Sequence, residues 1–562
     1  MSHLSRLTCA ALYTLGAWAQ TSTYVNPAVP TGTPIAGRYD GPLRPQVHFS
    51  PPRGFMNDPN GLFVDANGTW HLYYQYNPTG LMAGNQHWGH ATSRDLYRWL
   101  NQPIALFPPE ERVYVFSGSA VVDANNTSGF FADGQDNGVV AMFTLAWYYP
   151  DGTAGPQTQN IAYSRDGGYT FEYYDKNPVI DSSSSQFRDP KVIRYGDRWV
   201  AAVSYAQEFV VSFWTSPDLK AWTWASNFTP HSLLGTQYEC PNLVKMPVRD
   251  GRGGHVVDEK FVLAISIQPG APLGGSATEY FVGDFNGTHF TPSDGVTRLT
   301  DFAKDNYAAQ FFSGVPAGSN QVSIGWASNW QYAQQVPTGS LEGWRSAMAI
   351  PRVNYMRDNV PRVGLVMVQE MFDIYPILDK RLNSGSANAP SVFGNGSMLI
   401  DYAAVESGAV YIEVNVTNIN TTLLTDYATL NLSLVSPASG EILRSGFYFS
   451  GDTPFFIDRG GIRGFNNIFF TDKFSTADIY HGNSDDGEAS WDMRAVVDCS
   501  IFEVFVDGGI HAATSVFYPS EPLTALRLAS SDLPAGARVS VDVWSLKSSW
   551  AGYADEDEER GS

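Results

Sequence analysis

Short apolar stretches, separated by turns rich in Gly, Asn, Asp and Pro, run along the chain from about residue 45 to 365. This region lacks the sustained 3.6-residue apolar spacing that indicates long helices. Further along, the stretch ARVSVDVW places Val539, Val541 and Val543 on one face of a strand and Ser540 and Asp542 on the other. The pattern predicts an all-β protein.

A weak repeat accompanies these strands. The segments TSRDLYRW, YSRDGGYTF and TSPDLKAW each contain Ser-x-Asp followed four or five residues later by an aromatic, which is Trp99, Phe171 and Trp222 in turn. An Asp-capped turn followed by an aromatic that packs on a neighbouring unit is typical of a radially repeated sheet, so we predict a β-propeller. Because the three copies are unevenly spaced, hairpins of a β-sandwich remain an alternative on this pattern alone.

The character of the chain changes after about residue 370, where the strands alternate more strictly and SGSANAP resembles a linker. We expect an N-terminal extension over residues 20–44, a propeller over 45–370, a linker over 371–384 and a β-sandwich over 385–548. The acidic end, DEDEERGS, predicts a disordered tail over 549–562.

The first 19 residues have the features of a secretory signal peptide: Arg6, an apolar run from Leu7 to Trp18, and small residues around Trp18. The run is shorter than the ~20 residues that span a bilayer, which argues against a membrane anchor. We therefore expect a secreted, extracellular glycoprotein. Its candidate glycosylation acceptors are Asn67, Asn125, Asn126, Asn227, Asn286, Asn395, Asn415, Asn420 and Asn431.

Composition narrows the class of partner. A net charge of −21 and a pI near 4.8 argue against nucleic acids and anionic membranes, which attract clustered Lys and Arg, and favour a small neutral ligand. A second copy of the chain stays open as a partner. Removal of the signal peptide leaves Cys240 and Cys499, and we expect two buried thiols in preference to a single disulfide.

Three carboxylates share an unusual setting next to proline. Asp58 and Asp189 directly precede a Pro, and Glu239 lies two residues before one. Because proline pushes the residue before it into an extended conformation, we expect these carboxylates at strand ends, with a turn at 60–61 after Asp58. In a propeller they could converge on one central funnel, where paired carboxylates cleave glycosides. The alternative is that all three only form turns.

Other chemistries lack their motifs. The sequence has no His-Glu-x-x-His, paired Cys-x-x-Cys, Gly-x-Ser-x-Gly or Gly-x-x-x-x-Gly-Lys pattern. His87 and His90 are expected to pack or orient neighbours, not to bind a metal. We therefore expect neither a metal nor an organic cofactor.

Eight motifs, taken together and in order, resemble glycoside hydrolase family 32, and the resemblance extends from about Gln46 to Gly509. They are FMNDPNG at 55–61, WHLYYQYNP at 70–78, HWGHATS at 87–93, FSGSAVV at 116–122, NNTSGFF at 125–131, QFRDPKV at 186–192, YECPNL at 238–243 and PGAPLGGS at 269–276. The resemblance implies a five-bladed β-propeller that carries the site, followed by a β-sandwich, and cleavage with retention through a covalent fructosyl-enzyme.

The resemblance also implies roles for individual residues. Asp58 matches the family nucleophile, Glu239 the general acid/base and Asp189 the transition-state stabiliser. On physical grounds we expect Arg188 to hold Asp189 ionised and the neighbouring carboxylates to favour a protonated Glu239. Positions that match the fructose pocket are Asn57, Gln75, Trp88, Phe116, Ser117, Arg188 and Trp330.

The implied activity is that of a secreted β-fructofuranosidase that hydrolyses sucrose and related terminal β-D-fructofuranosides. Two alternatives use the same chemistry: a fructosyltransferase that makes short fructooligosaccharides from sucrose, and an exo-inulinase. A catalytically inactive fructan-binding protein on the same fold is an alternative from another class.

Overall fold

The computed structural model describes residues 26, 28–229, 234–360, 363–382, 390–450, 455–477 and 488–550. The expected signal peptide, the start of the N-terminal extension, most of the SGSANAP segment and residues 551–562 of the expected tail lie outside the described residues. The described chain is built almost wholly of strands, which confirms the all-β prediction. None of its helices is long and apolar enough to cross a membrane.

Three antiparallel sheets follow one another along the first part of the chain. Apart from one later addition to the first sheet, consecutive strands pair within each of them. Their strands are β1 (Gly54–Val64), β2 (Trp70–Asn77), β3 (His87–Ser93) and β4 (Trp99–Leu106); β5 (Val113–Val122), β6 (Val139–Tyr148), β7 (Ala154–Ser164) and β8 (Glu172–Tyr173); and β9 (Phe187–Tyr195), β10 (Arg198–Tyr205), β11 (Val210–Ser216) and β12 (Thr223–Phe228).

The sequence repeat connects the third and fourth strands of each of these sheets. Asp95, Asp166 and Asp218 each accept two backbone N–H groups of the turn that follows, at 2.7–3.1 Å. The aromatic that ends each repeat then packs on an apolar cluster of the sheets. The predicted Asp-capped turn with a packing aromatic is therefore confirmed in all three copies.

The next strands form a larger sheet and close the arrangement. The ten strands of this sheet are β13 (Tyr238–Arg249), β14 (Val256–Ile267), β15 (Ala277–Phe285), β16 (Phe290–Pro292), β17 (Arg298–Leu299), β18 (Tyr307–Phe311), β19 (Gln321–Ala327), β21 (Ala347–Met348), β22 (Arg352–Val360) and β23 (Gly364–Met371); the short strand β20 (Trp344–Arg345) lies between β19 and β21 in the chain. Within this sheet β13 and β22 pair in parallel, while β20 pairs with β1 of the first sheet. The short helix α1 (Thr338–Glu342) precedes β20.

Five strands, one from each of the first three sheets and two from the larger sheet, lie beside one another. β1 contacts β5, β5 contacts β9, β9 contacts β13, β13 contacts β18, and β18 returns to β1. These contacts form a closed ring of strands, here called the inner ring. Side chains on the inner ring can therefore converge on its axis.

Two further sheets follow and share one apolar core. Their strands are β24 (Leu378–Arg381), β25 (Ser391–Phe393), β26 (Gly396–Asp401), β27 (Ala409–Asn420), β28 (Thr429–Val435), β29 (Ile442–Tyr448), β30 (Phe455–Gly461), β31 (Lys473–Thr476), β32 (Glu488–Asp498), β33 (Ile501–Val506), β34 (His511–Val516), β35 (Ala525–Ser531) and β36 (Arg538–Leu546). Short 3₁₀ turns lie at Ala206–Glu208, Tyr375–Ile377, Thr421–Leu423 and Asp507–Gly509. On β36 the three valines Val539, Val541 and Val543 are fully buried, which confirms the predicted alternation.

The expected linker over 371–384 differs from the structure. Within it, β24 pairs with β36, where Leu378 lies opposite Leu546 and Arg381 opposite Trp544. These residues therefore belong to the two-sheet unit, here called the sandwich. Short charged segments such as LDKR give no alternation long enough to reveal an edge strand in the sequence.

The sandwich contacts the propeller-like part through buried charges. His48 lies between Asp498 and Glu503, with Nδ1 and Nε2 at 2.8 and 3.3 Å from their carboxylate oxygens. Arg352 donates to Asp301 at 2.9 Å and to Glu503 at 3.3 Å. Buried charges of this kind require close pairing, so they fix the relative position of the two units.

Candidate active site

Each strand of the inner ring contributes a side chain to one site. Asp58 lies on β1, Ser117 on β5, Asp189 on β9, Glu239 on β13 and Tyr307 on β18. The strand pairing has a register shift near each of these positions. Such bulges re-aim side chains and are common beside active sites.

The structure differs from one expectation about Asp58. We expected a strand end and a turn at 60–61, but β1 continues from Gly54 to Val64 through the whole motif. The register shifts between Met56 and Pro59, so Asn57 and Asp58 lie in the bulge and Pro59 directly follows it, at an irregularity where a missing N–H is tolerated. Asp189 and Glu239 do lie near the starts of their strands.

The site is a cavity of about 640 Å³, a volume typical of small-molecule pockets. Nine of the ten predicted site residues line it, and Trp88 does not. Trp88 is fully buried behind the wall, and its indole N–H donates to the carbonyl of Phe116 at 3.0 Å. The nine are Asn57, Asp58, Gln75, Phe116, Ser117, Arg188, Asp189, Glu239 and Trp330.

Asp58 and Asp189 are linked through Cys240. The Cys240 backbone N–H donates to Asp189 Oδ2 at 3.0 Å, and its Sγ lies 3.5 Å from Asp58 Oδ2 and 3.6 Å from Asp189 Oδ2. Ser117 Oγ also donates to Asp58 Oδ2, at 3.1 Å. Cys240 and Cys499 are both free thiols, but each residue is partly buried and not fully buried as expected. Desolvation within the site raises the pKa of the Cys240 thiol. Cys240 is therefore a weak hydrogen-bond donor here and remains uncharged.

Glu239 accepts hydrogen bonds at both of its oxygens. Arg188 donates to Oε1 from Nη2 at 2.7 Å and from Nε at 3.2 Å, and the Tyr307 hydroxyl donates to Oε2. By contrast, Arg188 Nε is 3.9 Å from Asp189 Oδ2. The guanidinium fork therefore donates its hydrogen bonds to Glu239, while its positive charge still favours the ionised form of Asp189, as expected.

Burial dominates the electrostatics of the two aspartates. It raises the pKa of Asp58 to about 6, and the nearby Glu239 adds to this rise against hydrogen bonds from Asn57, Ser117 and Cys240. Burial also raises the pKa of Asp189 to about 7; Arg188 opposes the rise, and Glu239 adds to it. Both shifts reflect the unfavourable transfer of a carboxylate from water into a crowded acidic site.

Sequence reasoning missed several residues of the site. Tyr307 had no distinguishing signal, because its position depends on where β18 joins the inner ring. The cavity is also lined by Tyr114, Tyr148 and Tyr149. The motif WYYPDG, two tyrosines before a Pro-Asp-Gly turn, could have indicated aromatic side chains at a hairpin tip.

Glycoside-cleaving enzymes use carboxylates that converge in a sugar-sized cavity. The fold and the site are therefore those of a glycoside-cleaving enzyme. Two family models match the chain. The N-terminal domain model of glycosyl hydrolases family 32 matches residues 48–363, and the C-terminal model of the same family matches residues 392–545. The chain belongs to glycosyl hydrolase family 32.

Similar proteins agree with this assignment. An invertase of Wickerhamomyces anomalus is 39% identical over 505 residues, covering 85% of this chain and 89% of that protein. An extracellular exo-inulinase of Meyerozyma guilliermondii is 39% identical over 503 residues, covering 87% and 92%. The structure of a fructofuranosidase from Schwanniomyces occidentalis complexed with fructose matches with a TM-score of 0.79 and 35% identity, covering 91% of this chain and all of that one.

Proposed function

We propose that this protein is a β-fructofuranosidase that hydrolyses sucrose and related terminal β-D-fructofuranosides. The observation that carries the proposal is the convergence of Asp58, Asp189 and Glu239 in one cavity, from three strands of the inner ring. Membership of glycosyl hydrolase family 32 and similarity to invertases and fructofuranosidases support the substrate class.

In the first step, Asp58 attacks the anomeric carbon of the fructosyl unit. The bond from that carbon to the bridging oxygen breaks, and Glu239 gives its proton to the departing oxygen, so glucose leaves from sucrose. Positive charge develops on the fructosyl ring, and the negative charges of Asp58 and Asp189 stabilise it. Asp189 also accepts hydrogen bonds from ring hydroxyls in this scheme.

In the second step, Glu239 removes a proton from a water molecule, which attacks the anomeric carbon and releases Asp58. Two displacements restore the original configuration, so the products form with retention. Arg188 and Tyr307 already donate to both oxygens of Glu239, an arrangement suited to the carboxylate form that this second step needs.

Ser117 influences the pKa of Asp58, and this predicts a measurable change in the pH dependence of activity. Asp58 attacks only when ionised, and the hydroxyl of Ser117 favours the ionised form and so opposes the rise in pKa. In Ser117→Ala the pKa of Asp58 rises further, so the acid limb of kcat/KM moves to higher pH, by roughly half a unit to one unit. The measurement is kcat/KM for sucrose against pH.

Ser119→Ala is the matched control for this variant. Ser119 lies on the same strand, but its hydroxyl donates to the carbonyl of Pro190 and does not contact a carboxylate. The control should keep the acid limb of the unmodified enzyme. An unchanged or lowered limb in Ser117→Ala would contradict the assigned contact.

We also propose the finer architecture and setting. The inner ring and the pairing of strands support five blades, with β13 to β17 as the fourth blade, β18 to β23 without β20 as the fifth, and the sandwich from β24 onward.

Extracellular relatives and exposed acceptors at Asn67, Asn125, Asn227, Asn286 and Asn395 support secretion and glycosylation.

The test of the proposed function is a time course of free glucose and free fructose from concentrated sucrose. Equal release is expected from the unmodified enzyme and none from Asp58→Asn. Glucose well in excess of fructose would instead show a fructosyltransferase, because sucrose would then capture the fructosyl group. No release by the unmodified protein would favour a fructan-binding protein.

A further inference from the structure

Tyr307 connects the proposed acid, Glu239, to a segment outside the cavity. Its hydroxyl donates to Glu239 Oε2, the side chain is 1% exposed, and its ring meets Trp326 edge-on at 6.2 Å between centroids. Burial raises the pKa of Tyr307 well above its ordinary value, so the hydroxyl keeps its proton and remains a donor. The position of Tyr307 therefore helps to fix the carboxyl group of Glu239.

The six residues before Tyr307, here called the 301–306 segment, are held by strand β34 of the sandwich. The Phe302 N–H donates to the Ala512 carbonyl at 3.0 Å, and the Asn306 side chain donates to Thr514 Oγ1 at 3.1 Å. The Asp305 carboxylate accepts the Val516 N–H at 2.9 Å. The backbone that leads into Tyr307 is thus attached to the sandwich.

Arg459, on β30, provides the charged contact to this segment. Its Nη1 donates to Asp305 Oδ2 at 2.7 Å, and both side chains are fully buried. Asp305 Oδ1 accepts the hydroxyl of Tyr332. A buried carboxylate held from both oxygens has one position only, since any displacement breaks a charge-assisted hydrogen bond.

The sandwich in turn fixes Arg459. Its Nε donates to the Thr471 carbonyl at 2.7 Å, Nη1 donates to the Val516 carbonyl at 2.6 Å, and the guanidinium lies 3.6 Å from the centre of the Phe470 ring. Buried ion pairs add little net stability compared with apolar packing of the same volume, although losing one partner is costly. A positional role explains the pair better than a stabilising one.

We propose that Arg459 of the sandwich is a positioning residue for the catalytic acid, acting through Asp305 and Tyr307 on Glu239. The inference rests on the proposed function, because it takes Glu239 as the group that protonates the departing oxygen. The second domain is then part of the catalytic apparatus although none of its residues lines the cavity in the described chain.

Arg459→Lys tests this, because it keeps the charge but loses the planar fork that reaches Asp305 and the carbonyls together. Two donors are compared: sucrose, which needs a proton on its leaving group, and fructosyl fluoride, which needs little. We expect kcat/KM for sucrose to fall about tenfold to a hundredfold. The rate of the initial fluoride release from fructosyl fluoride should change less than about twofold. A purely structural role would lower both equally.

A double-mutant comparison sharpens the test. In a Tyr307→Phe background the hydroxyl that links the segment to Glu239 is absent, so Arg459→Lys should cause no further loss on sucrose. The same fold loss with and without the Tyr307 hydroxyl would overturn the proposal, as would equal losses on the two donors. Arg381→Lys is the matched control, since Arg381 pairs with Asp542 at 2.6 Å inside the sandwich, and it should leave both rates unchanged.

Tyr332→Phe is the second variant if Arg459→Lys fails to fold, as judged by circular dichroism and melting. It removes one hydrogen bond to Asp305 and keeps the ring. The comparison of the two donors and the comparison with the Tyr307→Phe background apply to it unchanged, and each can support or overturn the proposal. Inactivity of the unmodified enzyme on both donors would contradict the proposed function itself, whereas the ratio between donors concerns the positioning role alone.

Discussion

Asp58→Asn is expected to lower kcat for sucrose by about 10⁴-fold or more, because an amide of the same shape cannot form the covalent bond to the anomeric carbon. The cavity keeps its shape, so sucrose should still bind. The measurements are steady-state release of glucose and sucrose binding by calorimetry. Asp284→Asn, at an exposed position on β15, is the control and should retain full activity.

The same variant should be more stable than the unmodified protein at neutral pH. Folding raises the pKa of Asp58 from 3.8 to about 6, so the folded state binds more protons than the unfolded state between these values. Stability due to this group therefore falls as pH rises from about 4 to 6, by up to about 3 kcal/mol. Asn carries no charge to desolvate.

This difference can be measured as the melting temperatures of the two proteins at pH 7 and pH 4. We expect Asp58→Asn to melt higher at pH 7 and to lose most of the advantage at pH 4. Near-normal turnover in this variant would contradict Asp58 as the nucleophile. A lower melting temperature at pH 7 would contradict the burial argument.

Glu239→Gln is expected to separate substrates by their leaving group. Sucrose needs proton donation to its departing oxygen, so its cleavage should fall about 10²- to 10⁴-fold. Fructosyl fluoride needs little protonation, so its first step should be largely spared and give a burst of fluoride close to one equivalent of enzyme. Deglycosylation is slow afterwards because Gln cannot activate water.

Glu279→Gln is a matched control for this variant. Glu279 is buried in the sheet that also contains Glu239, but it does not line the cavity. Burial raises the pKa of Glu279 to about 8, so this carboxyl group is already neutral near pH 6. It should cleave both donors normally. Equal losses on sucrose and fluoride in Glu239→Gln would count against Glu239 as the acid.

Much of the fold could be predicted from local patterns. The alternation on β36 and the Asp-capped turns after β3, β7 and β11 depend on neighbours in sequence, and the structure confirms both. The edge strand β24 could not be predicted, because four mostly polar residues become a strand only through pairing with β36.

The candidate site likewise has a part that could be predicted from the sequence and a part that could not. The prolines beside Asp58, Asp189 and Glu239 marked the carboxylates in sequence, and their convergence followed from the expected repeated sheet. The partners of Glu239 did not follow, because Arg188 and Tyr307 reach it from different strands, β9 and β18, through bulges that set their direction. Contacts between blades depend on three-dimensional position, and no local pattern encodes them.

Trapping the covalent intermediate tests Asp58 as the nucleophile most directly. Glu239→Gln is mixed with fructosyl fluoride, quenched rapidly, digested and examined by mass spectrometry. We expect that one peptide, the one containing Asp58, gains the mass of a single fructosyl unit, and that Asp58→Asn combined with Glu239→Gln gains none. A fructosyl group on another residue, or fluoride release without any labelled peptide, would contradict Asp58 as the nucleophile.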